Sequence, residues 1–197
     1  MYVRYAHIVK LILVRDAHIT VSMSKRTANL LGALALAIVD RVEVAAREVL
    51  DHGGETPAAL VVIGYGAGLS NDTLRRILGL SHPGAVRLVD KLVAEGLVER
   101  GSGRDGRQVA LHLTRRGKQF RSQLLASRLS AVEQVLGSLD KSEQQTLTDL
   151  LHKILAGMDT SEMQRFTICR LCDDRVCDDC PLPTSKPTGS QPFGLKG

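Results

Sequence analysis

The sequence predicts a mainly α-helical chain with one small β-hairpin. Three observations lead there. Apolar residues recur at spacings of three and four along most of the 197 residues, the period of a helix face. The hydrophobic fraction is 44% while the aromatic fraction is only 3%, with no Trp, so the core is Leu, Val, Ala and Ile, which suits helices packed on helices. One segment breaks that period: Val109, Leu111 and Leu113 alternate with Gln108, Ala110 and His112 behind a Gly-rich loop, as a strand does.

The N-terminal residues differ in character from the rest. Ile8 to Val14 is apolar but interrupted by Lys10, and no small-residue cleavage site follows, so a signal peptide is not expected. Met23 opens MSKRTANLLGALALA, which reads as a start in its own right. Two readings stay open: translation begins at Met23, or the preceding residues are a loosely attached arm. Residues 1–27 are set apart on either reading. Residues 28–54 then read as a long helix, with Leu31, Leu34, Ile38, Val42, Ala45 and Val49 on one face and His52-Gly53-Gly54 as its stop. TPAALVVIGYGA (56–67) reads as a short buried helix, weakened by Gly64 and Gly66.

Residues 70–118 form a distinct unit. Ser70 caps a helix running to Leu78, and Gly79-Leu80 makes the turn. Ser81 caps a second helix, whose first turn tolerates Pro83 because the missing N–H has no partner there. Val86, Val89, Leu92 and Val93 are its inward stripe, and Gly96 ends it with Leu97 as the accompanying apolar contact. Leu97–Arg100 and Arg107–Thr114 read as antiparallel strands joined by Gly101–Gly106. Helical spacing resumes through 119–159. Leu125, Leu129, Val132, Leu136 and Leu139 form one seam, Asp140 to Glu143 resembles a capping box, and Leu147, Leu150, Leu151, Ile154 and Leu155 form another seam. Residues 160–180 hold the cysteines, and 181–197, rich in Pro and Gly, read as a disordered tail.

Charge is concentrated in the middle of the chain. The net charge is +5, but residues 70–121 carry eleven Lys/Arg against five Asp/Glu. The flanking 29–69 carry two against five, and 122–159 three against five. A basic segment that coincides with a helix–turn–helix spacing points to a polyanion partner.

That segment has the parts needed to read double-stranded DNA. A recognition helix must anchor its apolar face and present short polar or basic groups near its N-terminus to base edges. Ser81, His82, Gly84, Ala85 and Arg87 occupy that end: Arg87 suits a paired hydrogen bond to guanine, His82 a base edge or phosphate, and Gly84 and Ala85 allow close approach. Lys91, further along, suits phosphate. The competing reading of Arg87 is a surface ion pair with Asp90. The hairpin tip places Arg104 and Arg107 among glycines, suited to a minor groove or phosphate, with Asp105 as a loop brace.

The run LSHPGAVRLVDKLVAEGLVERGSGRDGRQVALHLTRRGK resembles the winged-helix core of the MarR (multiple-antibiotic-resistance regulator) family of bacterial transcription regulators. The matching pieces are V-R-L-V-D-K-L, G-L-V-E-R, the R-D-G-R wing and the V-A-L-H-L-T-x-x-G exit into a long helix, within a likeness covering about residues 28–158. The resemblance implies a winged helix-turn-helix at 55–118 flanked by dimerisation helices at 28–54 and 119–159. It also implies a homodimer reading a pseudo-palindrome, Arg87 and its neighbours in the major groove, Arg104 and Arg107 at the wing, and repression relieved by a small-molecule ligand or an oxidant. The two Leu seams agree independently, since exposed apolar helices need a partner.

All four cysteines, Cys169, Cys172, Cys177 and Cys180, fall in TICRLCDDRVCDDCPLP with C-x2-C-x4-C-x2-C spacing. Two such knuckles can supply four thiolates to Zn2+. A redox-switching dithiol and an iron–sulfur cluster are the alternatives. Asp173, Asp174, Asp178 and Asp179 oppose lowered thiol pKa values, and Arg170 and Arg175 partly offset them.

No enzyme is expected. The six His form no metalloprotease pattern, and Gly64-Tyr65-Gly66-Ala67-Gly68 lacks the Lys of a phosphate loop. No run of about 18 apolar residues exists, so no membrane partner is expected, and the compartment read from the sequence is the cytoplasm, at the nucleoid. The expected function is a sequence-specific DNA-binding regulator, a repressor that responds to a small ligand, metal or redox signal. The alternative is a zinc-stabilised protein-interaction module whose basic face is only solvated.

Overall fold

The computed structural model describes residues 25–66, 68–102, 109–176 and 180–182. In chain order the helices and strands are α1 (Lys25–Leu50), α2 (Thr56–Gly64), β1 (Leu69–Ser70), α3 (Asn71–Leu78), α4 (His82–Ala94), β2 (Val98–Ser102), β3 (Val109–Leu113), α5 (Arg115–Leu136), α6 (Lys141–Ala156) and α7 (Glu162–Ile168). The mainly α architecture with a small hairpin is as the sequence reads. Residues 25–35, the first part of α1, are exposed throughout, and α1 starts at Lys25, inside the stretch set apart as an arm.

Residues 36–182 hold the folded core. Helix α2 is its centre: Thr56 through Ile63 are all buried, which explains why its sequence carries no amphipathic pattern. Leu60, Ile63, Leu74, Ile77, Val89, Leu92, Val98 and Leu111 from α2, α3, α4 and the sheet close around it. Each such side chain contributes about 1.5–3 kcal/mol on burial.

The sheet is three-stranded and antiparallel, in the order β1-β3-β2. Val98 pairs with Leu113 and Ser102 with Val109 along the hairpin, and Leu69 and Ser70 add a third strand opposite Leu111 and Ala110. The sequence reading does not contain β1, because two residues are too few to display alternation.

The turns form as their residues dictate. Ser70 Oγ accepts the Thr73 N–H at 3.1 Å, and Ser81 Oγ accepts the Gly84 N–H at 3.2 Å. Between the two helices Gly79 takes φ 65°, and the N–H of Leu80 donates to Arg75 O, so the left-handed turn separating α3 from α4 needs glycine. After β3, Thr114 Oγ donates to Gly96 O at 2.7 Å and accepts the Gly117 N–H at 3.0 Å. There α5 leaves the sheet so close to Leu97 that a Cβ at Gly117 would lie 2.0 Å from Leu97 O. The T-x-x-G exit is therefore a cap plus a contact that only glycine permits.

The later helices are less covered. α5 buries Gly117, Leu124 and Leu125. α6 begins with a full capping box between Asp140 and Glu143 and buries nothing. Leu150 and Ile154 are each 52% exposed, and on α1 Leu30, Leu31, Leu34, Leu36 and Val44 are exposed. The tail expected from Pro181 onward starts differently: Leu182 is 3% exposed, seated on the folded part, and 183–197 lie outside the described residues. No described helix is long and apolar enough to cross a membrane.

Candidate nucleic-acid interface and the cysteine segment

Helix α4 divides into a buried and an exposed face at helical spacing. Ala85, Val89 and Leu92, at i, i+4 and i+7, face the core. This corrects the sequence reading at Ala85, which is 0% exposed and cannot offer its methyl group to a partner. Its position one turn before Val89 makes it the first residue of the inward stripe, and Val86 is only half-buried. The exposed face is His82, Pro83, Arg87, Asp90, Lys91 and Ala94.

Of the other residues read as contacts, Ser81 spends its hydroxyl on the cap. Gly84 keeps that cap possible, since a Cβ there would lie 3.1 Å from Ser81 Oγ. His82 and Arg87 stand exposed in the first two turns of α4, and Lys91 stands exposed in its last turn. Arg104 and Arg107, with Asp105, lie outside the described residues, so the wing tip has no described geometry.

The competing reading of Arg87, an ion pair with Asp90, is resolved by a residue the sequence reading did not single out. Arg100 on β2 reaches back to Asp90 with Nη2 2.5 Å from Oδ1. Arg87 has no ion pair or hydrogen bond with the described residues. The signal for Arg100 was a basic side chain on a strand that follows an acidic position of the preceding helix.

Around this face other cations are placed or tied. Arg75 holds Asp72 through Nε and Nη2 at 3.1 and 2.8 Å. That hydrogen bond, with Arg75, Arg76 and His82 nearby, keeps the Asp72 carboxyl below the usual carboxylate range. Arg76 is exposed on α3, as are Arg115 and Lys118 on α5. Arg116 is tied to Glu95 O at 3.0 Å, at the end of α4, and His52 Nε2 lies 3.0 Å from Glu95 Oε1.

The cysteine segment is built into the domain. Helix α7 lies against α3: Met163 and Phe166 pack on the core, and Thr167 Oγ donates to Ile77 O at 3.1 Å. Cys169 ends α7, and the Cys172 N–H donates to Cys169 O at 2.9 Å. Tyr65, at the end of α2, donates its hydroxyl to Cys169 O at 2.9 Å and meets Cys172 O. Arg121 of α5 covers the Tyr65 ring at 5.1 Å and bonds Asp174 at 3.2 Å. In a chain with 3% aromatic residues, a Tyr closing an apolar helix was the available signal for this anchor.

Two of the acidic neighbours, Asp173 and Asp174, are in ion pairs, and Asp178 and Asp179 lie outside the described residues. Asp173 holds Arg175 through two contacts of 2.8 and 2.9 Å, and Asp174 holds Arg121. The Cys172 thiol, hydrogen-bonded by Cys169 and facing Arg128 and Arg170, is pulled down to about 6. Cys169 is pushed up, chiefly by that same hydrogen bond and by burial. The expectation that the aspartates oppose a lowered thiol pKa therefore fails at Cys172. Cys169, Cys172 and Cys180 are free thiols, and Cys177 lies outside the described residues. Among the described residues no group of three His, Cys, Asp or Glu side chains is placed to hold a metal ion.

A capped helix, a glycine turn, a second helix with a polar outer face and a three-stranded sheet define a winged helix-turn-helix domain. Comparison with known proteins places it further. The MarR family model matches residues 55–108. The transcriptional repressor MprA of Escherichia coli (strain K12) is 31% identical over 86 residues, 43% of this chain and 49% of MprA. The chain thus spans about half the length of the curated relatives it matches. In fold it is similar to Rv1404 of Mycobacterium tuberculosis (TM-score 0.59, 21% identity, 75% of this chain and 100% of that one). It is also similar to the MarR family protein Rv2887 of M. tuberculosis, solved in complex with DNA (TM-score 0.54, 21% identity, 71% and 98%). YusO of Bacillus subtilis gives TM-score 0.59 at 15% identity, over 72% and 100%.

Proposed function

We propose that the chain is a sequence-specific, DNA-binding transcriptional regulator that acts as a homodimer on a pseudo-palindromic duplex, in the role of a repressor. The observation that carries the reading is the outer face of α4. Arg87 is exposed there and has no ion pair among the described residues, Asp90 being held by Arg100, and Lys91 lies one turn further along. An unpaired guanidinium on the outer face of a recognition helix suits the two acceptors of guanine, and an ammonium one turn on suits phosphate. Arg104 and Arg107 are assigned to the wing by their place in the hairpin sequence.

The dimer rests on the uncovered apolar residues of α6 and α1, Leu150, Leu151 and Ile154 on the one and Leu30, Leu31 and Leu34 on the other. A second copy would remove them from water, and twofold symmetry would set two α4 helices on successive half-sites. A small-molecule effector belongs to this reading as the family's habit. A structural zinc held by Cys169, Cys172, Cys177 and Cys180 stays a proposal with chemistry in its favour but without a described tetrahedral arrangement.

Selection of bound duplexes from the host genome, followed by binding at rising salt, tests the reading. A regulator of this kind selects a common inverted repeat and loses affinity steeply with salt. Recovery of no common sequence, with binding indifferent to salt, would favour the protein-interaction alternative.

A further inference from the structure

The C-terminal ends of three helices are each closed by a side chain from another element. The last carbonyls of a helix have no partner inside it. At the end of α3 the Thr167 hydroxyl of α7 donates to Ile77 O at 3.1 Å, and among the described residues no backbone N–H reaches that carbonyl. At the end of α2 Arg121 Nε of α5 donates to Val61 O at 3.3 Å. At the end of α7 the hydroxyl of Tyr65, the residue after α2, donates to Cys169 O at 2.9 Å and meets Cys172 O. Arg121 joins these ends, lying over the Tyr65 ring and bonding Asp174 beyond α7 at 3.2 Å. Gly64 leaves room for it, since a Cβ there would lie 2.2 Å from Arg121 Cδ. Met163, Phe166 and Leu171 pack on the core beside these contacts.

We propose that residues 160–176 are a strap that holds the turn between α3 and α4 in the shape that reads DNA, with Thr167 as its positioning residue. The inference rests on the reading of the chain as a DNA-binding regulator. Ile77 lies two residues before Gly79, whose positive φ makes the turn. The other hydrogen bonds at that turn are local: the Gly79 and Leu80 N–H groups both donate to Arg75 O. Thr167 ties the end of α3 to a separate element 90 residues away. Its one hydroxyl proton has two acceptors at 3.1 Å, Ile77 O and Met163 O. Met163 O lies one turn back inside α7, where the helical pattern already supplies a backbone N–H. Ile77 O has only the hydroxyl among the described residues, so the proton has more to satisfy there.

A turn held in place before DNA arrives need not be ordered when DNA binds, and affinity rises accordingly. The gain is greatest on the selected duplex. Arg87 must align two hydrogen bonds with one base edge, while phosphate contacts carry no sequence information. The strap therefore acts on discrimination through α4 without touching DNA itself.

The experiment uses the full chain as wild type, as Thr167→Val, which keeps the side-chain shape and removes the donor, and as Thr167→Ser, which restores it. Amide hydrogen exchange and affinity for the selected and a scrambled duplex are measured on all three. In Thr167→Val the Gly79 and Leu80 amides should exchange about threefold to tenfold faster, the effect of one hydrogen bond, while the Leu124 and Leu125 amides of α5 change less. The preference for the selected duplex should fall by a similar factor and return in Thr167→Ser. An unchanged preference in Thr167→Val, or the same acceleration at α5 as at the turn, would overturn the proposal. Should Thr167→Val fail to fold, exchange of wild type across a urea series decides. The Gly79 and Leu80 amides should open together with that of Cys169, which donates to Arg165 O within the strap. A turn that stays protected after the strap has opened would overturn it. Joint opening in a protein that selects no duplex would overturn the regulator reading and the role in recognition, and leave the capping of α3 standing.

Discussion

Arg100 on β2 closes on Asp90 of α4 at 2.5 Å, and Arg87, one turn before Asp90, has no ion pair or hydrogen bond among the described residues. The pair ties β2 to the outer face of α4, and it occupies the carboxylate one turn after Arg87. Both members are partly exposed, 42% and 56%, so the pair itself adds little stability.

The first prediction concerns this arrangement. Arg87→Ala is expected to cost about 1–3 kcal/mol on the selected duplex and little on a scrambled one, the mark of a lost base contact. Asp90→Ala is expected to change the unfolding midpoint little, less than about 1 kcal/mol. Fluorescence anisotropy with both duplexes and urea unfolding of both variants check the pair of statements.

Gly117 is expected to tolerate no side chain. A Cβ 2.0 Å from Leu97 O meets backbone, which cannot rotate away. Gly117→Ala should destabilise by about 1–3 kcal/mol or more, as overpacking does. Gly32→Ala, where a Cβ meets nothing within 4 Å, is the control that should leave the urea midpoint in place or raise it.

Tyr65 predicts a pH dependence. Burial, first, and then the nearby thiols and Asp174 hold its phenol protonated well above its ordinary value of 10. The folded state therefore favours the neutral form. The stability this contributes is complete below pH 10 and is lost as pH rises beyond it. Tyr65→Phe should be less stable at neutral pH by about 1–2 kcal/mol, for its lost hydrogen bonds. The gap should narrow in alkali, where only wild type has a phenol to ionise. Urea unfolding at neutral and alkaline pH reads both.

The stripe on α6 predicts an oligomer. Leu150→Glu combined with Ile154→Glu places charge at two positions that are 52% exposed in the single chain and are assigned to the dimer interface. Sedimentation should show wild type as a dimer and the variant as a monomer, with the helical circular dichroism of the winged domain retained. A dimeric variant would remove α6 from the interface.

What the sequence made legible follows the range of the forces involved. The caps at Ser70, Ser81 and Asp140 and the stops at Gly79 and Gly96 were readable because they are settled within one turn of backbone. The period and phase of α4 were readable at Val89 and Leu92, but not at its first turn: Val86 and Ala85 are both small and apolar, and tertiary packing decides which faces inward. β1 was invisible because its two residues are strand only by virtue of β3. The docking of the cysteines was invisible for a similar reason. Tyr65 and Cys169 are 104 residues apart, and nothing local marks their hydrogen bond. The ion pair of Arg121 with Asp174, 53 residues apart, is likewise unmarked by anything local.

The central claim is that α4 reads DNA through Arg87. The measurement that meets it most directly is the affinity of wild type and Arg87→Ala for the selected inverted repeat and for a scrambled duplex, across a series of salt concentrations. The account predicts that wild type prefers the repeat, that both proteins lose affinity with salt along steep lines, and that the variant loses most of the preference while keeping much of its binding to the scrambled duplex. A variant that discriminates between the two duplexes as well as wild type does would contradict it.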